Sequence, residues 1–559
     1  MKRFHYIRIK DVITALSLSN LCFIPVWRYV IYSLDPHGYH LEEPFMWRNT
    51  VGLMLDVLLL ATLFWASYAF ARRQGQERLL GLGRWVFLFV VFVALDGVRR
   101  QFPDHLTDQA LMAVMGKTAF IALLVVASIL IVFALARYSR RVVSVAQAIV
   151  LILSPFALVT FSQAALPIVK SGPANAAMSN KSALDAGNNK RPATRVLWVI
   201  FDELDYRAAF ASRPSSVEMP ELDRLRAESI MATNAYPPAI VTMRSIPALV
   251  TGRLVVDARA SNYDELALTY DGASEKAPWS RQPNIFSRAR EIGGSSAVAG
   301  WYHPYCRVIG RDLTRCLFTG LVYENEMDAR NQRVPQSMLK HFRMVGLTAP
   351  VIRHILPESL KSDLDIDLNF NHKSDKWKHA YVESMKRIAQ EGAAAATDGA
   401  LSLIMLHFPA PHFPCVYDRR KDDFTFEGGC DYFDNLELVD RTFGDLRRAL
   451  DRAGWWDDTV VLVSSDHWWK FDQWQRVKPL TEEEQSVTSG GVDYRIPFIL
   501  KLKRQKESVI YQPSFNTVLS QDLLLALLRG ELHTPPDVTA WLDRNRSTVK
   551  NPYPPPIQR

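Results

Sequence analysis

Apolar residues are distributed along this chain in two regimes. Up to about residue 167 they form long unbroken blocks, near residues 12–33, 51–71, 79–96, 118–136 and 144–166. Each is close to the roughly 20 residues with which a helix crosses a bilayer, which predicts an α-helical transmembrane bundle of about five spans. The third block is the weakest, because Arg84 and Asp96 crowd its ends and its core, Trp85 to Leu95, is short. Without it, everything downstream would change sides. The first block exceeds the apolar part of a signal peptide and is followed by others, so it reads as an anchor.

Residues 168–194 are small and polar, with no sustained apolar period, and read as a linker. From Arg195 the apolar runs become short and end in polar residues: Val196–Phe201, Ser296–Gly300, Leu401–Leu406, Thr459–Val463 and Ile496–Leu500. Such continuous runs predict strands buried on both faces. Helical patterns alternate with them at Pro220–Ser229, Ile285–Ile292, Lys376–Gln390 and Leu436–Ala453, and Ser520–Arg529 reads as a closing helix. The soluble part is therefore expected to be α/β with a mainly parallel central sheet. Residues 255–282 and 317–372 show little period and read as insertions over the sheet edge. The expected organisation is a transmembrane domain (1–167), a linker (168–194), an α/β domain (195–545) and a proline-rich tail (546–559).

Charge adds orientation. Lys2, Arg3, Arg8 and Lys10, then Arg72, Arg73, Arg78 and Arg84, then Arg137, Arg140 and Arg141 fall in alternate segments, as the positive-inside rule demands. With about five crossings and a cytoplasmic amino terminus, the α/β domain would lie outside the cytoplasm. The formal net charge of +8 partly reflects those loops. No basic stripe with interleaved aromatics, finger or helix-turn-helix pattern accompanies it, so no nucleic-acid partner is expected. Cys306 with Cys316, and Cys415 with Cys430, are close-spaced pairs that suit an oxidising compartment; two local disulfides are expected, with buried free thiols as the alternative.

Candidate chemistry gathers at the strand ends, where ligands bind in such sheets. Asp202, Glu203 and Asp205 follow the first strand, and two readings are open for them: a seat for a hard cation, or an acidic helix start. Asp466 and His467 follow a later strand and offer oxygen and nitrogen to one ion, a pairing that suits Zn²⁺ or Mn²⁺ better than Ca²⁺. His407 and His412 bracket a proline-stiffened loop and could bind an oxyanion or move a proton; His303 receives the same reading. Thr242 lies between the acidic strand ends. A threonine hydroxyl is inert at neutral pH unless a metal or base activates it. Arg244 is close enough in sequence to clamp a phosphate oxygen, or is a surface arginine near a helix start. Trp468, Trp469, Phe471 and Trp474 form an interfacial belt that rests on lipid, a wall for a sugar acceptor, or a packed cluster.

These residues, with Pro220-Glu-Leu-Asp-Arg-Leu225, Thr233-Asn-Ala-Tyr236, Val250-Thr-Gly-Arg253, Val439-Asp-Arg441, Gly454-Trp-Trp-Asp-Asp-Thr459, Ser465-Asp-His467 and Arg495-Ile-Pro-Phe498, resemble in order the sulfatase-like branch of the alkaline phosphatase superfamily. The resemblance covers roughly residues 195–503 and implies that Asp202, Thr242, Asp466 and His467 hold one metal, with Thr242 as nucleophile. A sulfatase matures Cys or Ser in a Cys/Ser-x-Pro-x-Arg setting to formylglycine, whereas this chain reads Thr242-Met-Arg-Ser-Ile246. Threonine there, together with the amino-terminal spans, resembles instead the membrane-bound phosphoethanolamine and phosphoglycerol transferases of bacterial envelopes, the lipoteichoic-acid-synthase-like enzymes. His407-x-x-x-x-His412 and Tyr432-Phe-Asp-Asn435 resemble the phosphoethanolamine branch. Trp468 replaces that branch's glycine after Asp-His, and no further histidine occurs before His533, which tells against a second metal.

The implied activity is transfer of a substituted phosphate from a phospholipid donor to an envelope glycan or lipid, on the periplasmic side of a bacterial inner membrane. Thr242, His407 and His412 would be catalytic, and Arg244, His303 and Glu203 would bind substrate. A hydrolase using the same site, and a catalytically dead envelope scaffold, are the alternatives.

Overall fold

Continuous apolar runs become strands when both faces of a sheet are covered, and that is how the second half of the chain folds. The computed structural model describes residues 8–32, 39–42, 47–74, 77–99, 116–170, 194–320, 333–348 and 375–554. Most of the expected linker (171–193) and of the 317–372 stretch (321–332 and 349–374) lies outside these residues, as does 555–559 of the tail. The strands of the main sheet are β1 (Arg195–Phe201), β2 (Ile230–Ala232), β3 (Ser296–Trp301), β4 (Arg315–Thr319), β5 (Leu403–Phe408), β6 (Thr459–Ser465), β7 (Phe498–Lys501) and β8 (Val509–Tyr511). Their order is β8-β2-β7-β6-β1-β5-β3-β4, and of these only β7 runs antiparallel to its neighbours.

Alternation along β1 divides the core. Leu197, Val199 and Phe201 pack under the helices Pro220–Ala227, Asp375–Thr397 and Tyr432–Arg452, through residues such as Leu222, Met385, Val439 and Phe443. Val196, Trp198 and Ile200 pack on the other face with Ile246, Leu249, Phe286 and Leu524. A fully buried aliphatic or aromatic side chain contributes about 1.5–3 kcal/mol, so two covered faces account for why β1, β5 and β6 carry no exposed residue. The helix Tyr432–Arg452 starts at a capping box, where Asp431 accepts from the Phe433 and Asp434 amides. The 255–282 region makes its own three-stranded antiparallel sheet, Val255–Asn262, Glu265–Tyr270 and Lys276–Pro278, which packs against the helix Thr242–Thr251. Two disulfides form, Cys306–Cys316 and Cys415–Cys430, with Cα separations of 5.7 and 5.9 Å.

The chain divides into two compact units, and the division does not follow the chain at residue 167. The first holds residues 1–34, 45–174 and 325–368; the second holds 35–44, 175–324 and 369–559. Helices Ile9–Cys22, Ile24–Tyr32, Trp47–Arg73, Glu77–Arg99, Lys117–Ile152 and Pro155–Lys170 build the first unit at the positions of the apolar blocks. Among the described residues two stretches, Trp47–Arg73 and Arg140–Leu166, are long and apolar enough to cross a membrane, and Leu79–Leu95 is apolar but shorter. The five expected spans are thus not confirmed among the described residues. The helix Val334–Thr348, expected to lie over the sheet edge, packs instead within the first unit against Trp47–Arg73.

Candidate metal and nucleophile site

Parallel strands deliver their carboxyl ends to one rim. The register of β1 and β6 pairs Phe201 with Ser465, so Asp202 and Asp466 emerge side by side. Thr242 is the first residue of the helix Thr242–Thr251, preceded by the extended Val241. The Thr242 Oγ1 lies 3.3 Å from Asp202 Oδ2 and 3.2 Å from His467 Nε2. His467 Nε2 is 3.5 Å from Asp202 Oδ1 and 3.4 Å from Asp466 Oδ2. All four side chains are buried.

Two details show what this cluster suits. Asp202 Oδ1 and Asp466 Oδ2 are buried without a hydrogen-bond partner, although orphaned buried polar atoms are rare and costly. The His467 Nδ1 donates to the Trp468 carbonyl at 3.0 Å, which leaves the Nε2 lone pair aimed among the carboxylates. One donor atom from each of Asp202, Asp466 and His467 lies within 4.8 Å of the others. Hard oxygens, one imidazole nitrogen and unspent lone pairs fit a divalent cation.

Burial, then the neighbouring Asp466 and Glu203 carboxylates, hold Asp202 well above the usual carboxylate range. Burial pushes Asp466 up to about 6, and it holds His467 well below the usual imidazole value. The cluster thus lacks positive charge, which Lys470 partly supplies: its Nζ lies 3.3 Å from His467 Nε2. Sequence reasoning does not find Lys470, because a lysine three residues past His467 has no signature of its own.

The turn after β1 is strained and held. Glu203 adopts φ +66°, a region that a residue with a Cβ visits at a cost of about 1 kcal/mol or more. Its amide faces Asp466 Oδ1 at 3.4 Å, the Leu204 amide donates to Ser465 Oγ at 3.0 Å, and Tyr432 OH donates to the Glu203 carbonyl at 2.7 Å. Tyr432 in turn stacks on Trp469, ring centroids 4.0 Å apart. The aromatic run after His467 is thus a packed cluster, with Trp469 and Trp474 fully buried.

The remaining expected site residues divide. His407 is buried on β5, with Nδ1 2.8 Å from Tyr305 OH and Nε2 without a hydrogen-bond partner; burial pushes it down to about 3, so it is uncharged at neutral pH. His412 is half-buried, and its Nδ1 donates to the Phe413 carbonyl at 2.7 Å. Asn435 shapes the segment from Pro411 to Val416: Nδ2 donates to the Pro414 carbonyl at 2.9 Å and to the Pro411 carbonyl at 3.3 Å, and Oδ1 accepts from the Val416 amide at 3.0 Å. Three residues expected to bind substrate have other partners. Arg244 Nη1 donates to the Val256 carbonyl at 2.8 Å, and Glu203 Oε2 accepts from Trp474 Nε1 at 3.0 Å. His303, fully buried, uses both nitrogens: Nε2 on the Thr242 carbonyl at 3.0 Å and Nδ1 on Tyr39 OH at 2.9 Å. Spacing revealed where these side chains sit in the chain but not where they point.

No curated protein sequence matches this chain. Among solved structures, Ps i-CgsB aligns at 16% identity over 62% of this chain and 74% of that one, with a TM-score of 0.39. The phosphonate monoester hydrolase of Agrobacterium radiobacter aligns at 15% identity over 60% and 74%, TM-score 0.34. The PsFucS1 sulfatase from Pseudoalteromonas sp. aligns at 16% identity over 63% and 71%, TM-score 0.37. The family model described as Sulfatase matches residues 194–528, more than half of the chain, and the protein belongs to this family, in the sulfatase-like branch of the alkaline phosphatase superfamily.

Proposed function

We propose that the protein is a membrane-anchored, metal-dependent transferase. It moves phosphoethanolamine or phosphoglycerol from a phospholipid to a hydroxyl of a cell-envelope glycan or lipid, through a phospho-threonine at Thr242. One observation carries this reading. A buried threonine hydroxyl, within 3.3 Å of Asp202 and 3.2 Å of His467, stands where a sulfatase needs an oxidisable Cys or Ser.

Asp202, Asp466, His467 and the Thr242 hydroxyl would hold a Zn²⁺ or Mn²⁺ ion. Such a cation supplies neutralisation of phosphoryl charge and lowers the proton affinity of a hydroxyl beside it. Thr242 Oγ1, its proton having passed to solvent, attacks as the alkoxide and bonds to phosphorus while the bond from phosphorus to the diacylglycerol oxygen breaks. His412 Nε2 gives the departing alkoxide a proton, the half-exposed ring being free to exchange with solvent. His407, uncharged and buried, offers its Nε2 to a phosphoryl oxygen as a hydrogen-bonding group. In the second half, the acceptor hydroxyl returns a proton to His412 and bonds to phosphorus while the bond from phosphorus to Thr242 Oγ1 breaks, releasing Thr242 as the alkoxide with which the cycle began.

Location on a bacterial inner membrane, with several spans and the catalytic domain in the periplasm, is supported by the two long apolar helices, the alternating basic segments and the disulfides. The test uses the full chain in detergent with zinc or manganese, offered phosphodiester, phosphomonoester and sulfate ester reporters beside Thr242→Ala. Phosphodiester turnover that the variant lacks, and a mass increase on Thr242 with labelled phospholipid, are expected. Sulfate ester turnover would refute the nucleophile assignment, and release of the phosphate to water in the presence of acceptor would make the enzyme a hydrolase.

A further inference from the structure

Residues 35–44 lie in sequence between the helices Ile24–Tyr32 and Trp47–Arg73, yet they belong to the compact unit that holds the catalytic residues. The described part of this strap, residues 39–42, is gripped from several sides. Arg307 Nη2 donates to the Tyr39 carbonyl at 2.8 Å and the Leu41 carbonyl at 2.9 Å, and its Nη1 donates to the Glu42 carbonyl at 3.2 Å. The Glu42 carboxylate pairs with Arg387 Nη1 at 2.6 Å. Gly320 leaves room for the strap: a Cβ there would fall 2.2 Å from the His40 carbonyl oxygen and 2.7 Å from the Glu42 nitrogen.

What this grip delivers is one hydroxyl. Tyr39, with no exposed surface, sets its OH 2.9 Å from His303 Nδ1, and His303 Nε2 lies 3.0 Å from the Thr242 carbonyl oxygen. A carbonyl only accepts, so Nε2 must carry the proton. In the neutral ring Nδ1 then holds the lone pair, and the tyrosine must be its donor. Without that donor the other tautomer becomes available, and it would set a nitrogen lone pair against the lone pairs of the Thr242 carbonyl.

We propose that Tyr39 is a positioning residue of the catalytic site. Through His303 it holds the first turn of the nucleophile helix, so a strap from the amino-terminal, helix-rich part of the sequence completes the catalytic centre. The proposal rests on Thr242 being the nucleophile. Tyr39 touches the reacting atoms only through His303 and the backbone, so its loss acts on kcat rather than on substrate binding.

The test is made on the full chain in detergent with zinc or manganese and a phosphodiester reporter. Tyr39→Phe is expected to lower kcat about tenfold, with KM and metal affinity changed less than about twofold, because small displacements of a nucleophile are costly. Gly320→Ala pushes on the strap from outside the catalytic residues and is expected to lower kcat similarly. The double variant should be no slower than the slower single one, since both remove the same restraint. Unchanged kcat in Tyr39→Phe beside an inactive Thr242→Ala overturns the strap proposal alone. Turnover that survives in Thr242→Ala overturns the nucleophile reading instead. A loss of metal affinity or of KM as large as the loss of kcat would make Tyr39 merely structural.

Discussion

At the scale of single residues, the site is a set of atoms with unspent hydrogen-bonding capacity around one hydroxyl. On the proposed function, Thr242→Ala removes the attacking oxygen and should reduce phosphodiester turnover by about three orders of magnitude or more, whereas Thr242→Ser, which keeps the oxygen, should retain measurable turnover; initial rates decide both. A second prediction concerns Asp205, which anchors the loop after His467 by accepting from the Ala208 amide at 2.9 Å and the Trp469 amide at 3.4 Å. Burial pushes Asp205 up from 3.8 to about 7. Between those values the folded protein keeps a proton that the unfolded chain has released. Stability contributed by this group is therefore lost as pH rises through the window, by on the order of 4 kcal/mol, and is level above it. Asp205→Asn should flatten the fall in thermal midpoint between pH 5 and pH 8. The convergence of Asp202, Asp466 and His467 was legible in the sequence because a residue just past a buried parallel strand has one place to go. The partners of Arg244, Glu203 and His303 were not, because side-chain direction depends on what packs from elsewhere, such as Trp474 and Tyr39.

At the scale of elements, long apolar runs were legible and short or half-exposed ones were not. β1, β3, β5, β6 and β7 fell within about two residues of their expected positions, whereas β2, β4 and β8 were not anticipated. β2 and β8 have three residues each, and β4 alternates between half-buried and buried positions at the sheet edge, so none carries a continuous apolar run. The loop from His407 to His412 was read as stiff because of its prolines, but most of its order comes from outside it. Asn435 bonds several of its carbonyls, Tyr381 OH donates to the His412 carbonyl at 2.8 Å, and the Cys415–Cys430 disulfide ties its far end to the start of the Tyr432–Arg452 helix. Asn435→Ala should therefore lower kcat by about tenfold to a hundredfold while metal affinity, read by calorimetric titration of the full chain, stays unchanged. Asn435 bonds none of the cation-holding atoms. A parallel loss of metal affinity would mean that the loop and the cation seat are one structural unit.

At the scale of the whole molecule, the chain enters each of its two units more than once, and that is the feature its sequence hid. The helix Val334–Thr348 is only 15 residues long and mixes Ser337, Lys340 and His341 with apolar residues, so no hydropathy window marks it as kin to the long apolar helices. Within the first unit it makes a polar contact that neither helix reveals alone, beside the apolar packing of Phe342 and Val345. His341 Nδ1 lies 2.8 Å from Asp56 Oδ2 on Trp47–Arg73, both side chains almost wholly buried. A Cβ at Gly52, one turn away, would meet the Ser337 Cβ at 3.3 Å, the close helix approach that small residues permit. Removing one member of a buried hydrogen-bonded pair leaves the other unsatisfied, at a cost of about 1–3 kcal/mol, whereas removing both leaves no orphan. Denaturant unfolding of the full chain in detergent micelles should accordingly find His341→Ala and Asp56→Ala each strongly destabilising, and the double variant no worse than either. Strictly additive losses would show that the two side chains do not act as a pair, and that Val334–Thr348 is held in this unit by its apolar face alone.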